Sequence, residues 1–228
     1  MSDRPIAVFD AYGTLLDVHS AVARLADRMG PEAERISALW RQKQLEYTWT
    51  RSLMGRYADF WQVTEEALDY ALVVFNQCDA ALRSRLLEAY RQLDAYPESR
   101  DALVGYRQLG LRVAVFSNAT RPMLLTALAA AHLDDIVDTV YSVHELGVFK
   151  PAARVYAAAA AAVGTAPQAI AFHSSNAWDA AGAASCGWRA LWINRTGRPR
   201  EYSWMPVPEV DNLRAALTYF RAHTPAAE

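Results

Sequence analysis

Cysteine is nearly absent: Cys78 and Cys186 are the two in 228 residues, far apart and without CxxC or Cys/His spacing. A disulfide framework and a zinc site have no support, and two buried, reduced thiols are expected. Positive charge is not in excess either, since the formal net charge is -2 and no basic cluster stands out. That removes the field that would draw nucleic acid or an anionic membrane, so neither is expected as a partner. No long apolar run follows Met1-Ser2-Asp3-Arg4-Pro5. The start therefore reads as neither a signal peptide nor a spanning helix, and the cytoplasm is the default compartment. A second carboxylate is missing as well. Val8-Phe9-Asp10-Ala11-Tyr12-Gly13-Thr14-Leu15 is an apolar strand ending on one acid, with a phenol two residues further on. Hard cations such as Mg²⁺ take several oxygen ligands, usually with one or two carboxylates among them. Tyr12 offers none at neutral pH, so a lone Asp10 suits a nucleophile better than a metal site.

What is present is apolar and periodic. At 53% hydrophobic, the chain is long enough for one full core, or for a core plus an inserted lobe. Short apolar runs at Ile6 to Phe9, Arg112 to Phe116, Thr139 to Ser142, Ala169 to Phe172 and Ala190 to Ile193 alternate with helical stretches. Such alternation predicts βαβ units, a parallel sheet and an α/β fold. The gap between the first run and the second is long and helical in pattern, which points to an all-helical insert. Within it, Ile36 to Trp49 places Ile36, Leu39, Trp40 and Tyr47 on one helical face and Arg41, Leu45 and Thr48 on another. Arg41 with Leu45 one turn away predicts a covered second face. Tyr96-Pro97 breaks the helical pattern where the chain returns, and the alanine run Ala157 to Ala162 reads as helix. No repeat or flexible linker is visible.

In open parallel sheets, ligands bind beyond the carboxyl ends of the strands. Asp10, Ser117-Asn118 and His173-Ser174-Ser175-Asn176 each follow one of the apolar runs, so three strand ends face one crevice. Phe149-Lys150-Pro151 precedes a helix, and the long stem of Lys150 reaches the same place.

Asp10-Ala11-Tyr12-Gly13-Thr14, Ser117-Asn118, Lys150-Pro151 and Ser174-Ser175-Asn176-Ala177-Trp178-Asp179 resemble the four ordered motifs of the haloacid dehalogenase superfamily. The resemblance covers nearly the whole chain. Trp40 to Trp49, Ser174 to Asp179 and Ile193-Asn194-Arg195 are similar, more narrowly, to metal-free L-2-haloacid dehalogenases. The phosphatase branch carries acids where this chain has Tyr12 and Ser175, while Asp179 remains. Phosphoryl transfer relies on a cation to neutralise developing charge, and two of its three expected carboxylates are gone.

The resemblance implies a Rossmann-like core of residues 1-15 and 97-228 with a helical cap of residues 16-96. It implies hydrolysis of short (S)-2-haloalkanoic acids through an ester on Asp10, with no cofactor and no metal, in a homodimer. Arg41 then meets the departing halide and Asn118 shares that task. Ser117 and backbone N–H groups near Ala11 and Tyr12 hold the substrate carboxylate. Tyr12, Leu45, Phe60 and Trp178 line the pocket. Asp179, with Ser174, Ser175, Asn176 and Lys150, activates or orients water, and Thr14 and Tyr156 support the network. A fluoroacetate-active relative and a metal-dependent phosphatase are the alternatives. His173 reads as a buried, hydrogen-bonded imidazole, while Trp40, Tyr47 and Trp49 read as cap packing or subunit contact.

Overall fold

The computed structural model describes residues 5–223. The lead-in at residues 1–4, read above for targeting signals, lies outside the described residues, as do residues 224–228. After β1 (Ile6–Phe9) come five helices: α1 (Ser20–Ala23), α2 (Ala26–Met29), α3 (Ala33–Met54), α4 (Phe60–Val74) and α5 (Ala80–Arg91). Then follow α6 (Ser99–Gln108), β2 (Arg112–Ser117), α7 (Arg121–Ala130), β3 (Thr139–Ser142) and α8 (Ala153–Val163). The chain closes with β4 (Ile170–Ser174), α9 (Ala177–Ser185), β5 (Arg189–Ile193), β6 (Glu209–Val210) and α10 (Leu213–His223). Among the described residues, no helix is long and apolar enough to cross a membrane.

All strands pair in parallel, in the order β3-β2-β1-β4-β5-β6. Ile6, Ala7, Val8 and Phe9 are buried on both faces, as a central strand covered by helices on each side must be. This is a doubly wound α/β sheet whose order reverses between β1 and β4, and the crevice opens where the connections leaving those two strands diverge. Helices α1 to α5 pack on one another, chiefly α3 against α4 and α1 against α5, while α6 packs on β2 and α10.

Three expectations shift. Strand β4 runs to Ser174 and begins after Ala169, which sits in a 3-10 turn. His173 is thereby an interior strand residue, held because Asp10 N–H donates to its carbonyl at 2.9 Å and lengthens the ladder. On α3 the buried stripe is Ile36, Ser37, Trp40, Gln44 and Thr48, with Leu39 and Tyr47 half-buried. Polar Gln44 tolerates burial because its Nε2 donates to Thr64 Oγ1 at 2.7 Å and to Tyr90 Oη at 2.9 Å. The thiols are not both buried: Cys78 is exposed and Cys186 half-buried, and both are free. Each lies at a helix boundary near the surface, Cys78 just before the Asp79 cap of α5 and Cys186 at the end of α9. The two-residue strand β6 has no counterpart in the apolar pattern, because Glu209 and Val210 are too short a run to register.

Candidate active site

Asp10 is the first residue beyond β1 and is only 5% exposed. The turn after it is tight. Thr14, Leu15 and Leu16 all donate N–H to the Ala11 carbonyl, and Gly13 adopts φ 94°, where a Cβ would be strained. That turn returns Thr14 Oγ1 to Asp10 Oδ2 at 3.1 Å, and Asn176 Nδ2 donates to the same oxygen at 2.9 Å. The other oxygen, Oδ1, faces Lys150 Nζ at 3.3 Å.

Lys150 is 1% exposed and its ammonium has three acceptors: the Phe116 carbonyl at 2.7 Å, Asp179 Oδ2 at 3.0 Å and Asp10 Oδ1. The Phe116 ring lies 4.1 Å from Nζ, adding cation–π attraction in a dry setting. A buried charge is tolerated when paired and fully hydrogen-bonded. Asp179 is buried too. It accepts from Lys150, from Ser174 Oγ at 3.1 Å and, on Oδ1, from Tyr156 Oη at 2.7 Å. Burial pushes the Asp179 carboxyl up to about 6, against the pull of the Lys150 ammonium and with added repulsion from Asp10. Burial likewise drives the Tyr156 phenol far above its ordinary value, so it stays a donor.

Asp179 and Asn176 come from the start of α9. Asn176 occupies the N-cap with extended backbone but makes no side-chain cap bond. Its amide is used elsewhere, donating to Asp10 while Oδ1 accepts from Arg41 Nη2 at 3.2 Å. Giving up such a cap costs about 1 kcal/mol, a sign that the side chain serves the site. Arg41 on α3 also donates to the Tyr12 carbonyl at 3.0 Å and to Gln44 Oε1 at 2.8 Å. Thus one cap helix reaches across and fastens to both loops beside the acid.

Asn118 Oδ1 accepts the Lys150 N–H at 2.9 Å, and Ser117 Oγ accepts the Ala119 N–H at 3.2 Å. Both are buried at the end of β2. Tyr12 stacks on Tyr90 with ring centres 5.6 Å apart and lies at the same distance from Phe60. Its phenol is pushed far above the ordinary range by burial. Leu45, Trp49 and Trp178 line a cleft of about 310 Å³ with Arg41, Asn176 and Arg195. Trp178 meets Trp49 edge-to-face at 5.5 Å, and behind that pair lies a more apolar cavity of about 540 Å³. Phe60 does not line the cleft; it lies against Tyr12 and Phe149.

The two serines expected to act together are divided. Ser174 touches Asp179, whereas Ser175 Oγ accepts from Arg195 Nη1 at 2.7 Å and its N–H donates to Thr14 Oγ1 at 2.8 Å. His173 points to the other side of the sheet. Its Nδ1–H donates to the Val8 carbonyl at 3.3 Å, so Nε2 accepts from Tyr106 Oη at 2.7 Å. Burial lowers its value to about 4, keeping it neutral at pH 7. Among the described residues, no group of three His, Cys, Asp or Glu side chains could hold a metal ion. The space between the two acids is filled by an ammonium. The family resemblance assigns Arg195 no role, although its place just past the carboxyl end of β5 is the kind of position that borders such a crevice.

A doubly wound sheet with a helical insert after β1, and an acid, a lysine and a second acid joined at its switch point, defines a capped α/β hydrolase. The chain belongs to the haloacid dehalogenase-like hydrolases, whose family pattern matches residues 5–187. It is 49% identical over 211 residues to the (S)-2-haloacid dehalogenase 4A of Burkholderia cepacia, covering 92% of this chain and 91% of that protein. A crystal structure of a dehalogenase with an intermediate complex superposes with a TM-score of 0.93 at 43% identity, covering 100% of both chains. The Xanthobacter autotrophicus L-2-haloacid dehalogenase with chloropropionic acid covalently bound gives 0.87 at 34% identity, over 97% of this chain and 100% of that one.

Proposed function

We propose that the protein hydrolyses short (S)-2-haloalkanoic acids to (R)-2-hydroxyalkanoic acids and halide, through an ester on Asp10 and without a metal. The observation that carries this is the Lys150 ammonium set between Asp10 and Asp179, within 3.3 Å and 3.0 Å. It supplies the positive charge that a cation would otherwise bring, and leaves one carboxylate free to attack carbon. An Asp10 oxygen attacks C2 in line; the carbon–halogen bond breaks with its electron pair on the halide, and the configuration inverts. Alignment supplies much of the rate, since a carboxylate is a modest nucleophile. Arg41, always cationic, stabilises the departing halide in a pocket that excludes water, and Asn118 shares that task. Ser117 and backbone N–H groups near Ala11 and Tyr12 hold the substrate carboxylate. Leu45 and Trp178 wall the cleft during the first displacement, with Phe60 packed behind Tyr12 beside Asp10.

Water then attacks the Asp10 carboxyl carbon. Asp179 takes one of its protons, the bond between the Asp10 carboxyl carbon and the hydroxy acid oxygen breaks with its electron pair on that oxygen, the oxygen takes the proton from Asp179, and the second water proton leaves the regenerated Asp10 carboxyl for solvent. Ser174 and Tyr156 hold Asp179 for this step, Asn176 and Thr14 hold Asp10, and Ser175 secures Thr14. Residues 16-96 act as the cap and residues 1-15 and 97-228 as the core. The same proposal has the enzyme working as a cytoplasmic homodimer; Leu53 at 88% exposure and Trp204 at 76% offer apolar surface for a second copy.

Chiral product analysis tests the reading. With (S)- and (R)-2-chloropropionate and excess EDTA, halide release from the (S) isomer alone, with (R)-lactate as product, is expected. Phosphate release from phosphoesters that EDTA abolishes, without dehalogenation, overturns it and favours the phosphatase.

A further inference from the structure

Arg195 stands just past β5 and bonds to three separate segments of the chain. Its Nη1 donates to Ser175 Oγ at 2.7 Å and to the Gly13 carbonyl at 3.2 Å, and Nη2 donates to the Thr14 carbonyl at 2.8 Å. On the opposite edge Nε donates to Glu98 Oε1 at 2.9 Å, and Nη2 pairs with the same oxygen at 2.8 Å. The Tyr96 ring lies 3.8 Å from the guanidinium carbon. Both side chains of the ion pair are mostly shielded, at 17% and 12% exposure, so the pair is more than a solvated surface contact.

These partners belong to three separate pieces of chain. Gly13 and Thr14 form the turn after the nucleophile. Ser175 is the loop after β4. Tyr96 and Glu98 are where the chain re-enters the core, and Tyr96 N–H donates to the Leu15 carbonyl at 3.0 Å. Two further bonds connect the clamp to the chemistry, because Thr14 Oγ1 accepts the Ser175 N–H and donates to Asp10 Oδ2. Arg195 itself touches neither Asp10 nor the cleft's reacting atoms. Its own anchorage is firm: the neighbouring Asn194 N–H donates to the Val210 carbonyl at 2.8 Å and its Nδ2 donates to Glu209 Oε1 at 2.6 Å.

We infer that Arg195 is a positioning residue for ester formation, fastening the Thr14 turn, the Ser175 loop and the cap-to-core junction into one rigid seat for Asp10. The inference rests on the dehalogenase reading above. Only a planar fork with donors on both edges spans Glu98 on one side and Ser175 on the other; a lysine ammonium is a single point with three donors. A misplacement of about 1 Å at a reacting group costs roughly 100-fold in rate.

The full-length protein with R195K, and separately E98Q, tests it. The readout is the single-turnover rate constant for halide release with enzyme in excess, which does not depend on how many molecules are folded. R195K is expected to slow it about 10- to 100-fold with KM changed by about twofold at most, and E98Q to slow it less. Hydrogen exchange at the Thr14 and Ser175 amides gives a readout that needs no substrate, and faster exchange in both variants is expected. Should R195K fail to fold, E98Q decides. Wild-type single-turnover rate constants and unchanged exchange overturn the inference. A wild-type protein that releases no halide from any 2-haloacid sinks the dehalogenase reading instead, and the exchange result still decides whether the clamp exists.

Discussion

The ammonium of Lys150 lies 3.0 Å from the carboxylate of Asp179, with the Lys150 side chain 1% exposed and that of Asp179 fully buried. Burial raises the acid to about 6 despite that neighbour, a strength suited to the base role proposed for it. A raised carboxyl binds its proton more readily in the folded state, so stability from this group is complete at acid pH and falls as pH rises through about 6. Activity runs the other way. Turnover should climb through about pH 6 to a plateau, and at pH 5 reach about a tenth of it. Asp179→Asn should give one equivalent of halide per enzyme and then stop. A rate flat from pH 5 to 8, or continued turnover by the Asn variant, would exclude Asp179 as the base.

Removing the ammonium leaves two acids facing each other in a dry site. Lys150→Met is expected to lose about 3 kcal/mol of stability at pH 8, because one member of a buried ionic network is gone. The deficit should shrink at pH 5, where Asp179 takes up a proton and the repulsion is relieved. Denaturant titrations at the two pH values measure this. A deficit equal at both would mean that the carboxylates do not repel one another across this space.

Tyr106→Phe deletes the donor to His173 Nε2, 2.7 Å away in the interior. An orphaned buried acceptor costs about 1–3 kcal/mol, and the loss should appear in equilibrium unfolding while halide release below the melting transition is little changed. Wild-type stability in this variant would show that water already serves the imidazole.

Trp178 separates the polar cleft from the larger apolar cavity behind it. Trp178→Ala should merge the two, raising KM for 2-chloropropionate about tenfold and narrowing its advantage over 2-chlorobutyrate and longer acids, since one methylene is worth about 1–3 kcal/mol in a fitted pocket. Steady-state kinetics over a chain-length series reads this directly. Unchanged KM and an unchanged ratio would remove Trp178 from the substrate wall.

Much of this arrangement was legible in the sequence, and the reasons are physical. Buried parallel strands need continuous apolar runs, so Ile6 to Phe9 and Thr139 to Ser142 stood out with the bounds they have in the fold. Strand ends set the crevice, so Asp10, Ser117 and Asn176 were identifiable by position. Side-chain direction was not. The adjacent Ser174, at the end of β4, and Ser175, in the bend after it, reach toward Asp179 and Arg195 respectively, and no composition signal divides them. Gln44 defeated the apolar periodicity because hydrogen bonds, not hydrophobicity, permit its burial. Arg195 was hidden for a related reason: its partners, Ser175, Glu98, the Tyr96 ring and the Gly13 and Thr14 carbonyls, come from three distant segments that no sequence spacing links.

Covalent attack by Asp10 on carbon is the claim on which the rest depends. A single turnover of (S)-2-chloropropionate with excess enzyme in ¹⁸O-water, followed by mass analysis of the peptide containing Asp10, tests it most directly. The account predicts ¹⁸O in that peptide and unlabelled oxygen at C2 of the lactate. Label at C2 of the first-turnover lactate, with none in the peptide, would mean that water strikes the carbon itself.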